Sequence, residues 1–161
     1  MIAEVTQNQQ GYEATFDRKL VHEPEKVWQM LTDNQKIHRW FAGLQMEKPG
    51  KDGYLSFDMG HGKFAKLAIT DFEETKQLGF EWGKDHVLFK LIPEEGGTRL
   101  HMVETIKALT DQTPKDVAGW HVCLDVLEAL LDKKGIERTL EWEHWYPEYK
   151  RLFESMRVSF E

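Results

Sequence analysis

The sequence predicts an α+β protein in which a curved antiparallel sheet of about six or seven strands packs around one long C-terminal helix. Two observations support this class. Residues 113–135 carry apolar side chains at helical spacing between recognisable start and stop signals. Residues 43–107 form short alternating runs separated by turn residues, as in an antiparallel meander. One strand and two short helices precede the meander, and the long helix closes the core.

The long helix is expected to start at Thr113, which can cap the N-terminus, with Pro114 at the first helical position and Asp116 as the capping-box acid. Gly135 offers a left-handed stop. Its apolar stripe comprises Val117, Trp120, Leu124, Leu127 and Leu131, widened by Cys123 and Leu130 and extended by Val122 and Val126. Its polar face shrinks to His121, Asp125, Glu128 and Asp132. Such a helix needs a large partner on one side and a smaller one on its flank.

The segment before the meander predicts one strand and two short helices. Alternate positions of the strand are apolar, namely Tyr12, Ala14, Phe16 and Leu20, with Arg18 as the one discordant residue. Pro24 suits the first turn of a helix over residues 24–31, and residues 32–34 can cap a second short helix. The inward side chains of the two helices are expected to be Val27, Trp28, Leu31, Ile37, Trp40 and Phe41.

The meander has one apolar and one polar face by side-chain alternation. The buried face is expected to carry Leu55, Phe57, Met59, Leu78, Phe80, Trp82, Val87, Phe89, Leu91, Leu100 and Met102. The wet face is expected to carry Ser56, Asp58, Glu81, Lys90, Arg99, His101 and Lys107. The run at 63–72 lacks a clean alternation, which predicts a bulge near Asp71.

Residues 136–161 follow the long helix and are not a solvated tail by composition. Their aromatic and apolar residues repeat at helical spacing, which predicts a helical stripe. Pro147 is expected to begin a second helical piece. We expect this extension to dock on the flank formed by Val122 and Val126, or on a second subunit.

Composition limits the function. The 161 residues fit one domain, and a net charge of −7 without a basic run argues against nucleic-acid binding. We expect no membrane span and no signal peptide. The single cysteine excludes a disulfide within the chain, which favours the cytoplasm. The seven histidines are scattered, so we expect no metal, no cofactor and no assigned catalytic residue.

Glu104 breaks the pattern of the last strand. It shares the inward side of Leu100, Met102 and Ile106, so its carboxyl group should point into the core or a cavity. Three interpretations stay open: a structural ion pair with Arg18 or Arg39, a polar contact to a bound ligand, or a catalytic acid or base.

Four segments, in this order, resemble one known family. They are residues 27–41, VWQMLTDNQKIHRWF; residues 78–82, LGFEW; residues 97–105, GTRLHMVET; and residues 119–131, GWHVCLDVLEALL. They are similar to the Hsp90-ATPase-activator-like branch of the START/polyketide-cyclase (Bet v 1-like) superfamily, over roughly residues 12–135. Two features depart from the family pattern: residues 74–77 replace its usual Pro-Pro turn, and residues 136–161 lie beyond its last helix.

The resemblance implies a helix-grip fold with an apolar cavity for a lipid-like, polyketide-like or flavonoid-like molecule. Its expected lining is Trp28, Trp40, Phe41, Phe57, Met59, Phe80, Trp82, Phe89, Met102, Glu104, Trp120 and Leu124. The first alternative is a co-chaperone or other interaction protein with a chaperone partner, as the family name implies. A cyclase or hydrolase is the second alternative and would need two polar residues converging in the cavity.

Overall fold

A curved eight-stranded antiparallel sheet and four helices make up the computed structural model, which describes residues 2–159. The strands are β1 Glu4–Asn8, β2 Gly11–Leu20, β3 Leu44–Lys48, β4 Tyr54–Gly60, β5 Lys63–Glu73, β6 Gln77–Trp82, β7 Asp85–Glu94 and β8 Gly97–Ile106. The helices are α1 Pro24–Thr32, α2 Asn34–Trp40, α3 Thr113–Leu131 and α4 Arg138–Ser159. The sheet order is β1-β2-β8-β7-β6-β5-β4-β3, which is consistent with a helix grip around α3.

The prediction of six or seven strands missed β1. This strand forms a hairpin with β2, in which Glu4 lies opposite Thr15 and Asn8 opposite Gly11. Four of its five residues are exposed, because it is an edge strand. An edge strand with polar side chains on both faces leaves no alternation for a sequence reading to detect.

The predicted faces of the meander hold except around β4. Met59 was predicted to point inward, but its side chain is 61% exposed. Ser56 was predicted to be wet and is buried. The register of β4 against β5 shifts between Asp58 and Gly60, and such a shift changes the face to which Met59 points. Ser56 lies before the shift, and its Oγ donates to Glu47 Oε1 at 2.8 Å. The bulge predicted near Asp71 is confirmed, since the β5–β6 register shifts between Ile69 and Asp71.

The short helices follow the sequence signals. Pro24 lies in the first turn of α1, and the Asp33 side chain caps α2 by accepting a hydrogen bond from the Gln35 amide at 3.0 Å. Both helices send their apolar residues inward. The Trp40 indole is buried and its Nε1 donates to the Met30 carbonyl oxygen at 2.7 Å, which fixes the angle between the two helices.

The end signals predicted for α3 are wrong in detail. Thr113 does not cap the helix: its Oγ1 accepts from the Thr110 amide at 2.9 Å, in the preceding turn. The Asp116 carboxylate does not cap the helix either, since it accepts a hydrogen bond from Trp82 Nε1 of the sheet. The left-handed residue after the helix is Lys133 at φ 56°, two positions before Gly135. The Lys134 amide donates to the Ala129 carbonyl oxygen there, a pattern typical of helix C-termini.

The predicted polar face of α3 is also partly wrong, because α4 covers it. His121 is only 1% exposed, and its Nδ1 lies 2.6 Å from the Tyr149 hydroxyl of α4. Asp125 pairs with Arg18 of β2, and its Oδ2 lies 3.4 Å from His121 Nε2. α3 is therefore enclosed by the sheet on one side and by α4 on its flank.

The C-terminal extension is helical and packs on α3, in agreement with the prediction. Pro147 does not begin a new piece, since α4 is one helix with the proline inside it. Trp145 and Tyr149 lie on either side of Pro147, and both rings pack against His121. This packing holds both halves of the helix although the proline removes one backbone hydrogen bond. Docking on a second subunit stays a prediction.

Candidate functional site

A cleft of about 400 Å3 opens where the first half of α3 meets the start of α4. Its lining residues are Phe41, Trp82, Lys115, Asp116, Gly119, Trp120, Val122, Cys123, Arg138, Thr139 and Trp142. Four elements supply them: the end of α2, the end of β6, α3 and α4. The volume lies within the range of small-molecule sites, about 300 to 1,000 Å3.

Three aromatic rings that pack on one another form one side of the cleft. The ring centroids of Phe41 and Trp120 are 5.0 Å apart, those of Trp82 and Trp120 are 5.1 Å apart, and those of Phe41 and Trp82 are 5.8 Å apart. All three pairs meet edge to face, the arrangement that the ring quadrupoles favour. Because each ring is held by the other two, this apolar wall is preformed.

Local structure explains why these rings meet. Phe41 follows the last residue of α2 and caps that helix, and Trp82 is the last residue of β6. Trp120 lies on the α3 stripe that faces the sheet. α4 adds Trp142 to the lining, and this indole is stacked on Tyr146 at a centroid distance of 5.0 Å.

The polar groups of the cleft differ in how well they are satisfied. Trp82 Nε1 donates to Asp116 Oδ1 at 2.9 Å. Arg138 donates through Nη2 to the Trp40 carbonyl oxygen at 2.7 Å and through Nη1 to Cys123 Sγ at 3.5 Å. By contrast, Trp120 Nε1 is buried and has no hydrogen-bond partner in the described part of the chain. A buried donor without an acceptor costs about 1–3 kcal/mol.

Glu104 is fully buried beside this cleft's Asp116. Neither of its carboxyl oxygens has a hydrogen-bond partner among residues 2–159. Burial raises the pKa of Glu104 well above its ordinary value. Asp116 raises it further, because this neighbouring carboxylate favours a protonated carboxyl group that faces it and repels a second negative charge, and the charge of Asp85 adds to the effect. Burial also raises the pKa of Asp85, whose Oδ1 accepts from the Lys107 amide at 3.0 Å. Glu104 is therefore held in the protonated, neutral form more readily than an exposed glutamate.

The ion pair considered for Glu104 is not present. Arg18 pairs with Asp125 instead, and Arg39 is exposed on the outer side of α2. The sequence reading failed here because alternation gives the side of the sheet to which a residue points but not its position along the strand. The described residues also contain no group of three His, Cys, Asp or Glu side chains that could hold a metal ion.

The expected cavity residues fall into four places. Phe41, Trp82 and Trp120 line the cleft, and Phe57 packs against Phe41 and Trp82 with centroid distances of 5.6 and 5.2 Å. Six others are buried in the continuous hydrophobic core, namely Trp28, Trp40, Phe80, Phe89, Met102 and Leu124. Glu104 is buried near Asp116, and Met59 lies at the surface.

Sequence reasoning missed the part of the cleft that α4 and the start of α3 provide. The missed residues are Lys115, Asp116, Gly119, Val122, Cys123, Arg138, Thr139 and Trp142. The sequence pattern assigns Asp116 to helix capping. It assigns Trp142, one of the aromatic residues of the extension, to a packing stripe. The one available signal was the apolar flank at Val122, which indicated that α4 would lie nearby.

The fold and the cleft define a helix-grip α+β protein with an aromatic recess beside its closing helix. The chain belongs to the Activator of Hsp90 ATPase homolog 1-like protein family, whose sequence profile matches residues 22–132. The matched region ends at the end of α3, so α4 lies beyond it. No curated protein matches the chain significantly.

Solved structures support the fold. A conserved protein of unknown function from Enterococcus faecalis has a TM-score of 0.79 at 23% identity, covering 93% of this chain and 91% of that one. A Bordetella parapertussis protein gives a TM-score of 0.70 at 23% identity, with 93% and 94% coverage. CalU16 from Micromonospora echinospora gives 0.66 at 18% identity, with 90% and 94% coverage. At these identities the likeness concerns the fold alone.

None of the helices within residues 2–159 combines the length and the apolar character that crossing a bilayer requires.

Proposed function

We propose that the protein binds a small, planar hydrophobic molecule in the cleft between α3 and α4. The observation that carries the proposal is the preformed aromatic wall of Phe41, Trp82 and Trp120, to which α4 adds Trp142. Most ligand sites are apolar concavities with a few oriented polar groups, and this cleft has that composition. A planar ring system would cover the wall without disturbing the edge-to-face packing behind it.

The unpaired indole N–H of Trp120 narrows the ligand class. Because Nε1 is covered in this structure, the indole must turn toward the cleft before a ligand oxygen can accept its hydrogen bond. A ligand with a carbonyl or ether oxygen near its ring would then remove the cost of the buried donor. Asp116 is already occupied by Trp82, which keeps that carboxylate in place. Lys115 is exposed at the edge of the cleft and can accommodate a polar substituent.

The test compares two probes of similar size. Flavone is planar and carries a carbonyl acceptor, whereas 2-phenylnaphthalene has a comparable ring area and no acceptor. Both should quench the fluorescence of the purified protein saturably, since three of its six tryptophans line the cleft. Flavone should bind about five- to tenfold more tightly, which is the value of one recovered hydrogen bond.

Variants locate the binding. Trp142→Ala should weaken flavone binding about tenfold or more, whereas Trp142→Phe should retain most of it, because a smaller aromatic ring remains in the same place. Leu140→Ala is the matched control: Leu140 is exposed on the same turn of α4 and is not part of the lining. Absence of saturable binding of either probe to the folded protein would refute the proposal.

An interaction protein is the second candidate. The family description refers to activation of the Hsp90 ATPase, and two large apolar side chains, Met59 and Phe64, are 61% and 66% exposed at one β4–β5 hairpin. Measuring the ATPase rate of purified Hsp90 with the wild-type protein and with Met59→Lys/Phe64→Lys would test this function. If the wild-type protein stimulates the ATPase and the double variant does not, the interaction function is supported. If the wild-type protein leaves the ATPase rate unchanged, this function is excluded.

A further inference from the structure

A second concavity lies apart from the cleft. It is formed by α1, α2 and the end of α3, and its volume is about 390 Å3. Its lining residues are His22, Lys26, Gln29, Met30, Lys36, Arg39, Leu130, Leu131 and Lys133. We call it the basic groove. It shares no lining residue with the cleft, so a molecule could occupy either site alone.

The charge of the basic groove is opposite to that of the chain. Five of its nine lining residues are Lys, Arg or His and none is acidic, although the whole chain has a net charge of −7. The side chains of Lys26, Arg39 and Lys133 have no hydrogen-bond or ion-pair partner in the described part of the chain. Cations gathered in a concave surface focus a positive potential that attracts anions.

Two contacts hold part of the groove in place without neutralising it. Lys36 Nζ donates to Gln29 Oε1 at 2.8 Å, so this ammonium group is positioned by a neutral side chain rather than by an acid. His22 Nε2 lies 2.7 Å from Asp132 Oδ1, which turns that carboxylate toward the histidine. The remaining lysine and arginine charges are therefore available to a ligand.

The floor of the groove is apolar. Met30 is buried, and Leu130 and Leu131 are half-buried at the end of α3. A free inorganic anion would use the cations but would leave this apolar surface in water. A molecule with an anionic head and a short hydrocarbon chain would use both, because burial of apolar area adds to the charge attraction.

We propose that the basic groove binds a small anionic amphiphile, with its phosphate or carboxylate group on Lys26, Lys36 and Arg39 and its hydrocarbon chain on Met30, Leu130 and Leu131. An arginine can hold a phosphate or carboxylate through two parallel hydrogen bonds, and the lysines add charge. This inference is independent of the function proposed for the cleft.

The first experiment uses four probes by calorimetry: octyl phosphate, octanoate, 1-octanol and inorganic phosphate. Octyl phosphate should bind at least tenfold more tightly than 1-octanol or inorganic phosphate, and its affinity should fall as salt is raised. Octanoate against octyl phosphate distinguishes the two head groups. Equal binding of inorganic phosphate, or no saturable binding of either amphiphile, would overturn the proposal.

The second experiment locates the site. Lys26→Gln/Arg39→Gln should weaken octyl phosphate binding at least tenfold. Lys63→Gln/Lys90→Gln also removes two positive charges, but from exposed strand positions, and should change the affinity for octyl phosphate less than twofold. In methyl NMR of methionine-labelled protein, the Met30 signal should shift on titration and the Met59 signal should not. An equal loss in both double variants, or unaltered Met30 resonance, would show that the amphiphile binds elsewhere.

Discussion

Buried polar groups are hydrogen-bonded on one side of α3 and lack partners on the other. Where α4 packs on the helix, His121 and Tyr149 are bonded to each other, and the Tyr149 oxygen also accepts from the Ala3 amide at 2.8 Å. One position before His121, the Trp120 N–H has no partner, and Glu104 is buried without one. The first arrangement stabilises the fold. The second leaves one donor and one carboxyl group without a hydrogen-bond partner among residues 2–159.

The satisfied side has a consistent proton arrangement. The Tyr149 oxygen already accepts from Ala3, so its O–H donates to His121 Nδ1 and leaves Nε2–H facing Asp125 Oδ2 at 3.4 Å. This is the neutral imidazole, in agreement with the burial that lowers the pKa of His121. Burial raises the pKa of Asp125, but the bonds from His121 and Arg18 outweigh it, and the pKa is lowered overall.

Removal of α4, which carries the satisfied side of this comparison, should cause the largest loss of stability. Truncation after Gly135 deletes the Tyr149 and Phe153 side chains and exposes the apolar flank of α3. At roughly 25 cal/mol per Å2 the lost burial amounts to several kcal/mol of unfolding free energy. We expect a large fall in melting temperature or aggregation. An unchanged melting curve and solution mass would show that α4 contributes nothing to the domain.

Tyr149→Phe should have the next largest effect. It keeps the ring but leaves the Ala3 N–H and His121 Nδ1 without their shared partner, at a cost of about 1–3 kcal/mol. Denaturant unfolding at neutral pH measures it. Tyr146→Phe is the control, because Tyr146 contributes only its ring, stacked on Trp142, and should cost less than about 0.5 kcal/mol. Equal losses of unfolding free energy in the two variants would contradict the role of the hydrogen bonds made by the Tyr149 hydroxyl.

The pH dependence of stability should separate the two sides. The pKa of Glu104 is raised in the folded state, so its ionisation opposes folding, and stability should fall as pH rises above the ordinary glutamate range toward the folded pKa. Glu104→Gln cannot ionise and should lose this decline. The difference in unfolding free energy between variant and wild type should therefore grow in favour of the variant as pH rises, and a constant difference from pH 5 to 8 would contradict it.

The histidine should give the opposite sign. The folded-state pKa of His121 is lowered, so stability is present above the ordinary histidine pKa and is lost as pH falls through it toward the folded value. The acid limb of the wild-type curve, measured between pH 7 and 5, should flatten in His121→Phe. A limb of unchanged slope in the variant would assign the acid loss to other groups.

The smallest effect is expected at the surface. Met59→Lys should change the unfolding free energy by less than about 0.5 kcal/mol, because the side chain is largely exposed. Had the side chain pointed inward, as strict alternation predicted, the same change would bury a charge and cost several kcal/mol. Chemical denaturation measures the difference directly.

Periodicity predicted the elements that bury one face. The α3 stripe, the short helices, seven strands and a helical extension packed on α3 follow from apolar spacing, and the family likeness is confirmed over residues 22–132. β1 was missed because Val5 is its single apolar residue and its place depends on pairing with β2. Met59 escaped because a register shift changed the alternation after Asp58.

The cleft was harder to predict because it depends on distances between elements. Sequence indicated that Trp82, Trp120 and Phe41 point inward, and the structure brings these three rings together. It could not indicate that Asp116 would bond to Trp82 rather than cap α3, since the two residues lie 34 positions apart. Nor could the sequence show that Arg18 would form its ion pair with Asp125 instead of Glu104.

The bond between the Ala3 amide and the Tyr149 hydroxyl joins positions 146 residues apart, and this has a consequence for synthesis on the ribosome. The β1–β2 hairpin is made before α4 and cannot make this contact until α4 has been translated through Tyr149, the twelfth of its 22 residues. Closing so long a loop is slow relative to local pairing. We expect the nascent sheet to leave its β1 edge incompletely anchored until α4 has been made and docked.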